Sequence, residues 1–259
     1  MRHHLVDVAD PRERYSAGEF LRDAGAAIRD VVARGKRPVV VGGTLFYVHA
    51  LLYGLFPEPP KDPAVRAALE EAWRRDPAAV RALLEERDPE AAARIAPADR
   101  QRTLRALEIC EVSGRPVTSL WRDHPVDQPR YPFRMLALAP PREELHATIA
   151  LRVGNMFSAG LLDEVRGLLA GGVPMGAHAL KAIGYRECCR VVRGELPEEE
   201  AGPATVVATR QLAKRQLTWL RRERGVEWVR GQRGGLVAET VSRVEERGGA
   251  RTRSAEGWS

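Results

Sequence analysis

The stretch that most constrains the fold is PVVVGGTLFY, residues 38–47. Before it, apolar residues recur at helical spacing from Glu19 to Arg34, and Gly35 ends that pattern. Pro38 to Val41 is a short apolar run of strand length, and Leu45 to Tyr53 is predicted to be the next helix. A helix that leads into a buried strand predicts an α/β layer with parallel strand pairing.

The turn between that strand and helix is built from Gly42, Gly43 and Thr44. Many phosphate-binding loops have this strand, glycine turn and helix, but here no lysine follows the glycines. We interpret Gly42 and Gly43 as positions that let a ligand approach the backbone closely, because glycine has no side chain. Thr44 adds a hydroxyl that can donate or accept a hydrogen bond.

A long segment without strand patterns follows the extended linker PEPPK at residues 57–61. Its three Asp-Pro pairs, at 62–63, 76–77 and 88–89, each place a capping carboxylate before a proline suited to the first helical position. A further helix from about Arg100 to Val112 ends at Gly114. The sequence therefore predicts an all-helical insertion.

Beyond the insertion, FRMLALAP at 133–140 is a second predicted buried strand. Helices are predicted at 143–158, 161–170, 178–193 and 204–224, with a short strand at 226–229. The chain end is rich in Gly, Arg and Glu. The predicted organisation is a core of residues 1–58 and 133–231, an insertion of residues 59–132 and a flexible tail of residues 232–259.

Composition restricts the class of protein. The 259 residues carry 41 Lys and Arg against 35 Asp and Glu, and a charge of +6 favours a polyanionic partner, although a bias towards arginine explains it equally well. No apolar run approaches the roughly 20 residues that span a bilayer, and the first residues lack a signal-peptide core, so we expect a cytoplasmic protein without a membrane partner. Three cysteines without a C-x-x-C pair are interpreted as reduced side chains, and no histidine or cysteine cluster indicates a metal site.

Cations concentrate in two predicted helices. Gln101 and Arg105 share one face of the helix that begins near Arg100, with Arg102 beside them. Near the end of the chain, a second helix carries a stripe that we call the cationic stripe. It comprises Arg210, Lys214, Thr218 and Arg221. A solvated charged face is the alternative for both helices. Trp219 lies off the stripe and is interpreted as a core residue rather than a platform for stacked RNA bases.

Two further candidate binding positions give weaker sequence signals. In KAIGYR, residues 181–186, Gly184 lies between two cationic ends, where a glycine either admits a ligand or ends a turn. Arg152 is flanked by apolar residues, which predicts a partly buried guanidinium bound to a carboxylate or a pyrophosphate. An ordinary ion pair with Glu143, Glu144 or Asp163 is the alternative.

Five motifs, in this order, resemble the tRNA dimethylallyltransferase family from near Met1 to about Trp228: RHHLVDVADPRERYSAGEF, VVVGGTLFYVHALLYG, DRQRTLRALE, ALKAIGYRE and ATRQLAKRQLTWLRR. The resemblance implies transfer of a dimethylallyl group from dimethylallyl diphosphate to the exocyclic amine of the adenosine beside the anticodon, with release of pyrophosphate assisted by Mg²⁺. It also implies an α/β fold with a P-loop NTPase-like parallel-sheet core and an all-helical insertion domain that grips the anticodon stem-loop. We predict that the protein acts as a monomer.

The resemblance assigns roles to individual residues. Thr44 and Arg152 are the implied catalytic residues, Thr44 near the reacting adenosine and Arg152 on the diphosphate. The implied tRNA contacts are Thr44, Arg66, Gln101, Arg102, Arg105, Lys181, Gly184, Tyr185, Arg186, Lys214, Arg215, Thr218 and Arg221. Guanidinium groups suit a leaving group that gains negative charge as its bond to carbon breaks.

The sequence departs from the family at its beginning. The GxxxxGK[ST] loop and the Asp-Ser segment of the family do not occur, so we expect an N-terminally truncated core whose diphosphate cradle, Mg²⁺-binding hydroxyl and base aspartate lie upstream of Met1. A longer native protein with a misplaced start is favoured, because the retained motifs show no decay. A catalytically inactive tRNA-binding protein is the alternative. A related prenyltransferase acting on free adenine nucleotides is disfavoured by the insertion and the cationic stripe.

Overall fold

The computed structural model describes residues 2–57, 59–123, 128–223 and 225–245. The chain divides into two compact units, one formed by residues 1–51 with 131–259 and the other by residues 52–130. The predicted insertion covered residues 59–132. The described residues form a helix-rich α/β protein with a small parallel sheet.

The first helix, α1 (Ala17–Ala33), has a well-formed start. The Ser16 hydroxyl accepts a hydrogen bond from the Glu19 amide at 3.3 Å, and the Glu19 carboxylate accepts one from the Ser16 amide at 2.6 Å. This reciprocal capping satisfies two amides that the helix itself leaves without partners. Gly35, with a φ of +65°, follows the helix end as predicted. Helix α2 spans Leu45–Tyr53.

Residues 38–41 do not form the predicted strand. Val39 and Val40 are about half exposed, and Val41 is 90% exposed. A run of β-branched residues indicates a preference for extended structure, but a strand also needs a neighbour for its backbone hydrogen bonds. Among the described residues the sheet contains two strands, which pair with each other. The prediction of a buried strand here is therefore wrong.

All regular elements among the described residues of the second unit are helices. Its helices are α3 (Pro63–Arg75), α4 (Pro77–Arg87), α5 (Pro89–Arg94), α6 (Arg100–Ser113) and α7 (Val117–Asp123). All three Asp-Pro predictions are confirmed, because Asp62, Asp76 and Asp88 each accept hydrogen bonds from amides of the first turn of the following helix. Gly114 ends α6 in the left-handed conformation, with a φ of +67°.

One apolar cluster forms the core of the helical unit. The inner face of α6 dominates it, and Leu84 and Leu104 are completely buried. The members are Val80, Leu84, Ala91, Ala92, Ile95, Leu104, Ala106, Leu107, Ile109, Cys110 and Val117. This packing fixes which face of α6 remains available for polar contacts.

The sheet pairs β1 (Met135–Ala139) with β2 (Val226–Arg230) in parallel, with Met135 opposite Val226 and Ala139 opposite Arg230. Both strands were predicted. Burial is less complete than expected, because Leu138 is 52% exposed and Ala137 is the β1 residue that is buried.

Four helices and a 3₁₀ turn lie between β1 and β2 along the chain. They are α8 (Arg142–Ser158), α9 (Leu161–Ala170), the 3₁₀ turn at Ala179–Lys181, α10 (Tyr185–Val192) and α11 (Glu198–Leu220). Helix α11 begins before the predicted residue 204 and contains Pro203. Three glutamates, Glu198 to Glu200, occupy its first turn, where negative charge interacts favourably with the helix dipole. Apolar residues of α9 and α10 form a second core cluster.

The segment predicted to be a flexible tail from residue 232 contains helix α12 (Arg233–Glu245). This helix packs against β2, and Leu236 is buried. The sequence signal from Leu236 to Val244 was helical but short, so tertiary packing decides the outcome. Residues 246–259 of the predicted tail lie outside the described residues.

The three cysteines, Cys110, Cys188 and Cys189, are buried and unbridged, as predicted. Burial raises the pKa of the Cys188 thiol to about 11 and also raises the pKa values of Cys110 and Cys189. Thiols in such surroundings are poor nucleophiles, because the thiolate is the reactive form. We therefore assign them to packing.

Candidate nucleic-acid interface

The Gly-Gly-Thr turn is attached to helix α11. The side-chain amide of Gln216 donates a hydrogen bond to the Gly43 carbonyl at 2.8 Å. A Cβ atom added at Gly43 would lie 2.3 Å from the Gln216 Nε2, which is closer than any such contact allows. Thr44 is exposed, and its carbonyl accepts from the Tyr47 and Val48 amides at the start of α2. The turn therefore has a defined position beside the cationic helix.

Helix α2 is in turn fixed to α1. The Tyr47 hydroxyl donates to the Tyr15 carbonyl at 3.1 Å, and the Tyr47 ring stacks on Phe20 with centroids 4.7 Å apart. The Tyr15 hydroxyl donates to Asp23 at 3.0 Å. Burial and this hydrogen bond raise the pKa of Tyr15 to about 12. These contacts hold the start of α2, and with it Thr44, in one place.

The far end of α11 carries cations that have no ion-pair partner among the described residues. Lys214, Arg215, Arg221 and Arg222 are exposed, and none forms an ion pair with another described residue. The Thr218 hydroxyl donates to the Lys214 carbonyl at 2.9 Å, as threonines inside helices commonly do. Uncompensated cations on one helix face attract a polyanion such as an RNA backbone.

A groove with a volume of about 570 Å³ lies along this end of α11. Its described lining consists of Gln211, Lys214, Arg215, Thr218, Trp219 and Arg222. Trp219 is 38% exposed and belongs to none of the apolar clusters of the described residues. The prediction that Trp219 is a core residue is therefore wrong.

A second group, which we call the cationic corner after its two arginines, comprises Arg142, Arg210 and the imidazole of His146. Helix α8 follows the carboxyl end of β1 directly, and its first residue is Arg142. Helices α8 and α11 pack together, and the buried Nε of Arg210 has no hydrogen-bond partner. Burial, Arg210 and Arg142 lower the pKa of His146. In open α/β sheets, ligands bind outside the carboxyl ends of the strands, which is where this corner lies.

Sequence reasoning placed Arg210 on the cationic stripe and missed the other two members of the corner. The available signal was a cation and a histidine four residues apart, at the start of a helix that follows a strand. Without the packing of α8 on α11, nothing in the sequence links them to Arg210.

Arg152 is exposed on α8, not partly buried as predicted. The apolar neighbours that suggested burial point elsewhere, since Val153 is buried whereas Leu151 is 62% exposed. Arg152 forms no hydrogen bond or ion pair with another described residue, and the alternative pairing with Asp163 is not made because Asp163 binds Arg166 at 3.0 Å. Its guanidinium is free for an anionic ligand.

The KAIGYR segment is largely occupied by internal contacts. Gly184 is buried with a φ of +96°, and an added Cβ would lie 3.3 Å from Leu161. The Glu187 carboxylate accepts from the Gly184 amide at 2.8 Å and pairs with Arg186 at 2.6 Å. Tyr185 donates to Glu164, and this hydrogen bond and burial raise its pKa to about 12. Lys181 is exposed without an ion pair among the described residues.

In the helical unit, two predicted tRNA contacts share one buried acid. Glu108 is 3% exposed and lies 3.0 Å from the Arg105 guanidinium and 3.7 Å from that of Arg66. Arg66 also binds Glu70 at 2.9 Å. These cations are thus compensated internally, unlike those of α11.

The other two predicted contacts of this unit lie at the start of α6. Gln101 and Arg102 are both exposed. Arg102 is 3.5 Å from Asp99, the residue that caps the helix. Both side chains are accessible to a ligand.

Neither a metal site nor a membrane span occurs within the described residues. No group of three or more His, Cys, Asp or Glu side chains is arranged to hold a metal ion within them. No helix in the described part of the chain is both long and apolar enough to cross a bilayer.

These features define a helix-rich α/β protein with a glycine turn fixed beside an uncompensated cationic helix. The family model for IPP transferase matches residues 1–223. The chain belongs to the IPP transferase family.

Curated relatives support this assignment. The chain is 49% identical over 231 residues to a tRNA dimethylallyltransferase of Anaeromyxobacter dehalogenans strain 2CP-1, covering 88% of this chain and 74% of the relative. It is 44% identical over 256 residues to the tRNA dimethylallyltransferase of Stenotrophomonas maltophilia, covering 93% and 80%.

Solved structures agree. The full-length tRNA isopentenylpyrophosphate transferase of Bacillus halodurans is similar with a TM-score of 0.64 at 31% identity, over 94% of this chain and 77% of that one. A eukaryotic dimethylallyltransferase acting on tRNA has a TM-score of 0.77 at 23% identity, over 98% and 68%, which shows a shared fold.

Proposed function

We propose that this protein transfers a dimethylallyl group from dimethylallyl diphosphate to the exocyclic amine of the adenosine beside the anticodon of tRNA. The observation that carries the proposal is the attachment of the Gly-Gly-Thr turn to α11 through Gln216, 2.8 Å from the Gly43 carbonyl. That contact joins two family motifs, one offering the Thr44 hydroxyl and the other the cations of α11. The family assignment specifies the reaction.

The diphosphate leaving group gains negative charge during the reaction, and the site must stabilise that charge. As the amine nitrogen bonds to the allylic carbon, the bond from that carbon to the diphosphate oxygen breaks and its electron pair stays on the diphosphate. The amine gives up one proton to water. Cations and N–H donors that are fixed in advance lower the barrier to this charge transfer. We assign this role to the cationic corner and to Arg152, because the buried Arg210 Nε and the Arg152 guanidinium have no partner among the described residues.

The acceptor adenosine must leave its stack to react. We assign Thr44 to the adenosine, because its exposed side chain follows two glycines beside α11. Gly42 leaves its part of this turn open, because an added Cβ there would meet nothing within 4 Å, so a ribose or base can approach its backbone. Thr44 can then offer one hydroxyl to the nucleotide.

The RNA backbone is assigned to exposed cations. Lys214, Arg215 and Arg221 on α11, and Lys181 in the KAIGYR segment, are exposed and uncompensated among the described residues. In the helical unit, Arg66, Gln101, Arg102 and Arg105 would contact the anticodon stem-loop. We assign Thr218, Gly184, Tyr185 and Arg186 to shaping these surfaces, because their polar groups have internal partners.

The resemblance implies Mg²⁺ on the diphosphate and a P-loop NTPase-like core. Mg²⁺ takes carboxylate, hydroxyl and phosphate oxygens. No group of three or more His, Cys, Asp or Glu side chains is arranged for a metal ion within the described residues, and the arginines of the cationic corner would repel a cation, so we assign no step to the ion. A tRNA substrate is in keeping with a cytoplasmic monomer.

The test is dimethylallyl transfer to an unmodified tRNA transcript, measured by mass spectrometry of the digested RNA. We expect one dimethylallyl group on the adenosine beside the anticodon. A transcript with inosine at that position lacks the exocyclic amine and is the matched control. Binding of tRNA without transfer, or transfer to AMP but not to tRNA, would overturn the proposal.

A further inference from the structure

The groove on α11 contains one feature that cation–phosphate contacts do not explain, which is the exposed indole of Trp219. Burying a tryptophan side chain is strongly favourable, and this residue type is usually well buried. Trp219 nevertheless remains 38% exposed and lies outside the apolar clusters of the described residues. Its indole also forms no hydrogen bond or ring contact with another described residue.

The surroundings of this indole select the chemistry of its ligand. Lys214, Arg215 and Arg222 line the same groove, and none of the six lining residues is acidic. No ion pair within the described residues compensates these three cations. A cationic ligand would therefore be repelled, and a purely apolar one would leave the three cations without counter-charges, whereas an anionic ligand with a flat aromatic part would match both features.

The size of the groove narrows the choice. Its volume of about 570 Å³ lies within the range of roughly 300–1,000 Å³ that is usual for small-ligand clefts. A nucleotide fits such a space, whereas a paired stem cannot present the face of a base to it. Proteins that bind single-stranded RNA combine a cationic groove with an aromatic side chain in this way.

We propose that Trp219 is a stacking platform for one unpaired base of the bound tRNA, with Lys214, Arg215 and Arg222 contacting the phosphates that flank it. The proposal rests on the tRNA substrate of the proposed function and adds a specific base-binding position to it. Trp219 is then a substrate-positioning contact, and the loop of the RNA is the part that it recognises.

The experiment compares four proteins, the wild type, Trp219→Ala, Trp219→Leu and Trp219→Phe, in binding to an unmodified anticodon stem-loop. Stacking on an aromatic ring predicts that Trp219→Ala and Trp219→Leu weaken binding roughly five- to hundredfold. Trp219→Phe keeps a ring and should retain most of the affinity. Since no phosphate contact is removed, the salt dependence should keep its slope in all four.

Two controls make the result specific. Leu212→Ala removes another exposed apolar side chain of α11 that does not line the groove, and we expect wild-type binding. A fully paired, two-stranded RNA duplex of the same base composition has no unpaired base to offer, so Trp219→Ala should bind it as the wild type does. Melting curves of all variants establish that they are folded.

The proposal is overturned if Trp219→Ala and Trp219→Leu bind the stem-loop as tightly as the wild type, or if they lose the same affinity for the paired duplex. It is also overturned if Trp219→Phe loses as much as Trp219→Leu. A different result would contradict the proposed function without contradicting the stacking proposal. If a single-stranded heptanucleotide with the loop sequence binds in a Trp219-dependent manner but tRNA receives no dimethylallyl group, stacking stands and the transferase assignment does not.

Discussion

At the scale of single residues, Gly43 has a reason to be glycine that is internal to the protein. The sequence suggested that Gly42 and Gly43 admit a ligand to the backbone. At Gly43 the space for a Cβ is filled by Gln216, whereas a Cβ at Gly42 would meet nothing within 4 Å. The two glycines therefore differ, and Gly43 is the one that couples the turn to α11.

This coupling predicts non-additive effects on catalysis. Gly43→Ala should displace the Gln216 amide, and Gln216→Ala should remove it, so both release the same hydrogen bond. We expect each to lower the rate constant of dimethylallyl transfer about ten- to a hundredfold, because small misplacements of reacting groups are costly. The double variant should be no slower than either single variant.

The measurement is the single-turnover rate at saturating tRNA, with melting temperatures as a check on folding. Gly167→Ala on α9, where an added Cβ meets nothing within 4 Å, is the matched control. Strictly multiplicative losses in the double variant would show that the two residues act independently.

Individual side chains were the least predictable part of the site. The sequence indicated correctly that α11 carries a cationic face, because charge repeats at helical spacing. It misjudged Trp219 and Arg152, because residue type and neighbouring apolar residues do not state which way a helix faces its partners. His146 and Arg142 could not be recognised as site residues from the sequence, because only the packing of α8 on α11 brings them close to Arg210.

At the scale of secondary structure elements, helix starts were predicted better than strands, because a helix cap is local in sequence whereas a strand needs a neighbouring strand. The Asp-Pro pairs predicted three helix starts correctly, because a capping carboxylate and the amides that it binds lie within a few residues of each other. The valines before Gly42 did not predict a strand correctly, because strand formation depends on residues far away in sequence. For the same reason, the sequence located β1 correctly but did not predict that Leu138 would be exposed.

Asp88 does more than cap its helix. It is 1% exposed, and its carboxylate accepts from the Ala91 amide at 2.9 Å, the Thr118 amide at 2.9 Å and the Thr118 hydroxyl at 2.8 Å. It thereby connects the start of α5 to the start of α7. Asp62 is a simpler cap, with hydrogen bonds only to the first turn of α3.

We predict that Asp88→Ala lowers the free energy of unfolding by about 2–4 kcal/mol, because the cap is lost and buried donors of Thr118 are left without an acceptor. Asp62→Ala, the matched control, should cost about 1 kcal/mol. Urea denaturation monitored by circular dichroism measures both. Equal losses would mean that the connection to α7 contributes nothing.

At the scale of the whole molecule, cations fall into two groups that the net charge of +6 does not distinguish. Those of the helical unit, such as Arg105 and Arg66, are compensated by Glu108 and Glu70. Those at the end of α11 are not, within the described residues. Only the second group adds its full charge to the field that an approaching RNA meets.

This difference predicts distinct behaviour for two substitutions. Lys214→Ala should reduce the salt-dependence slope of tRNA binding by about one without altering the melting temperature, because it removes one phosphate contact. Arg105→Ala should weaken binding and also lower the free energy of unfolding by about 1–3 kcal/mol, because Glu108 loses its nearer partner.

Fluorescence titration at several salt concentrations, together with thermal melting, separates these effects. Arg105→Lys restores the charge and should recover most of the stability. If Lys214→Ala left both the affinity and the slope unchanged, the cations of α11 would be a solvated surface with no role in binding.

The charge on α11 also varies along its length, since Glu199 and Glu200 lie in its first turn and Lys214 to Arg222 at its other end. The third glutamate of the first turn, Glu198, is paired with Arg166 at 3.0 Å. The helix has 23 residues, which at 1.5 Å per residue separates the two charges by roughly 30 Å. An approaching polyanion repels the acidic first turn of α11 and attracts its cationic end, and the two forces together rotate the protein. Orientation before contact raises the association rate, so the acidic end of α11 contributes to the speed of capture without touching the RNA.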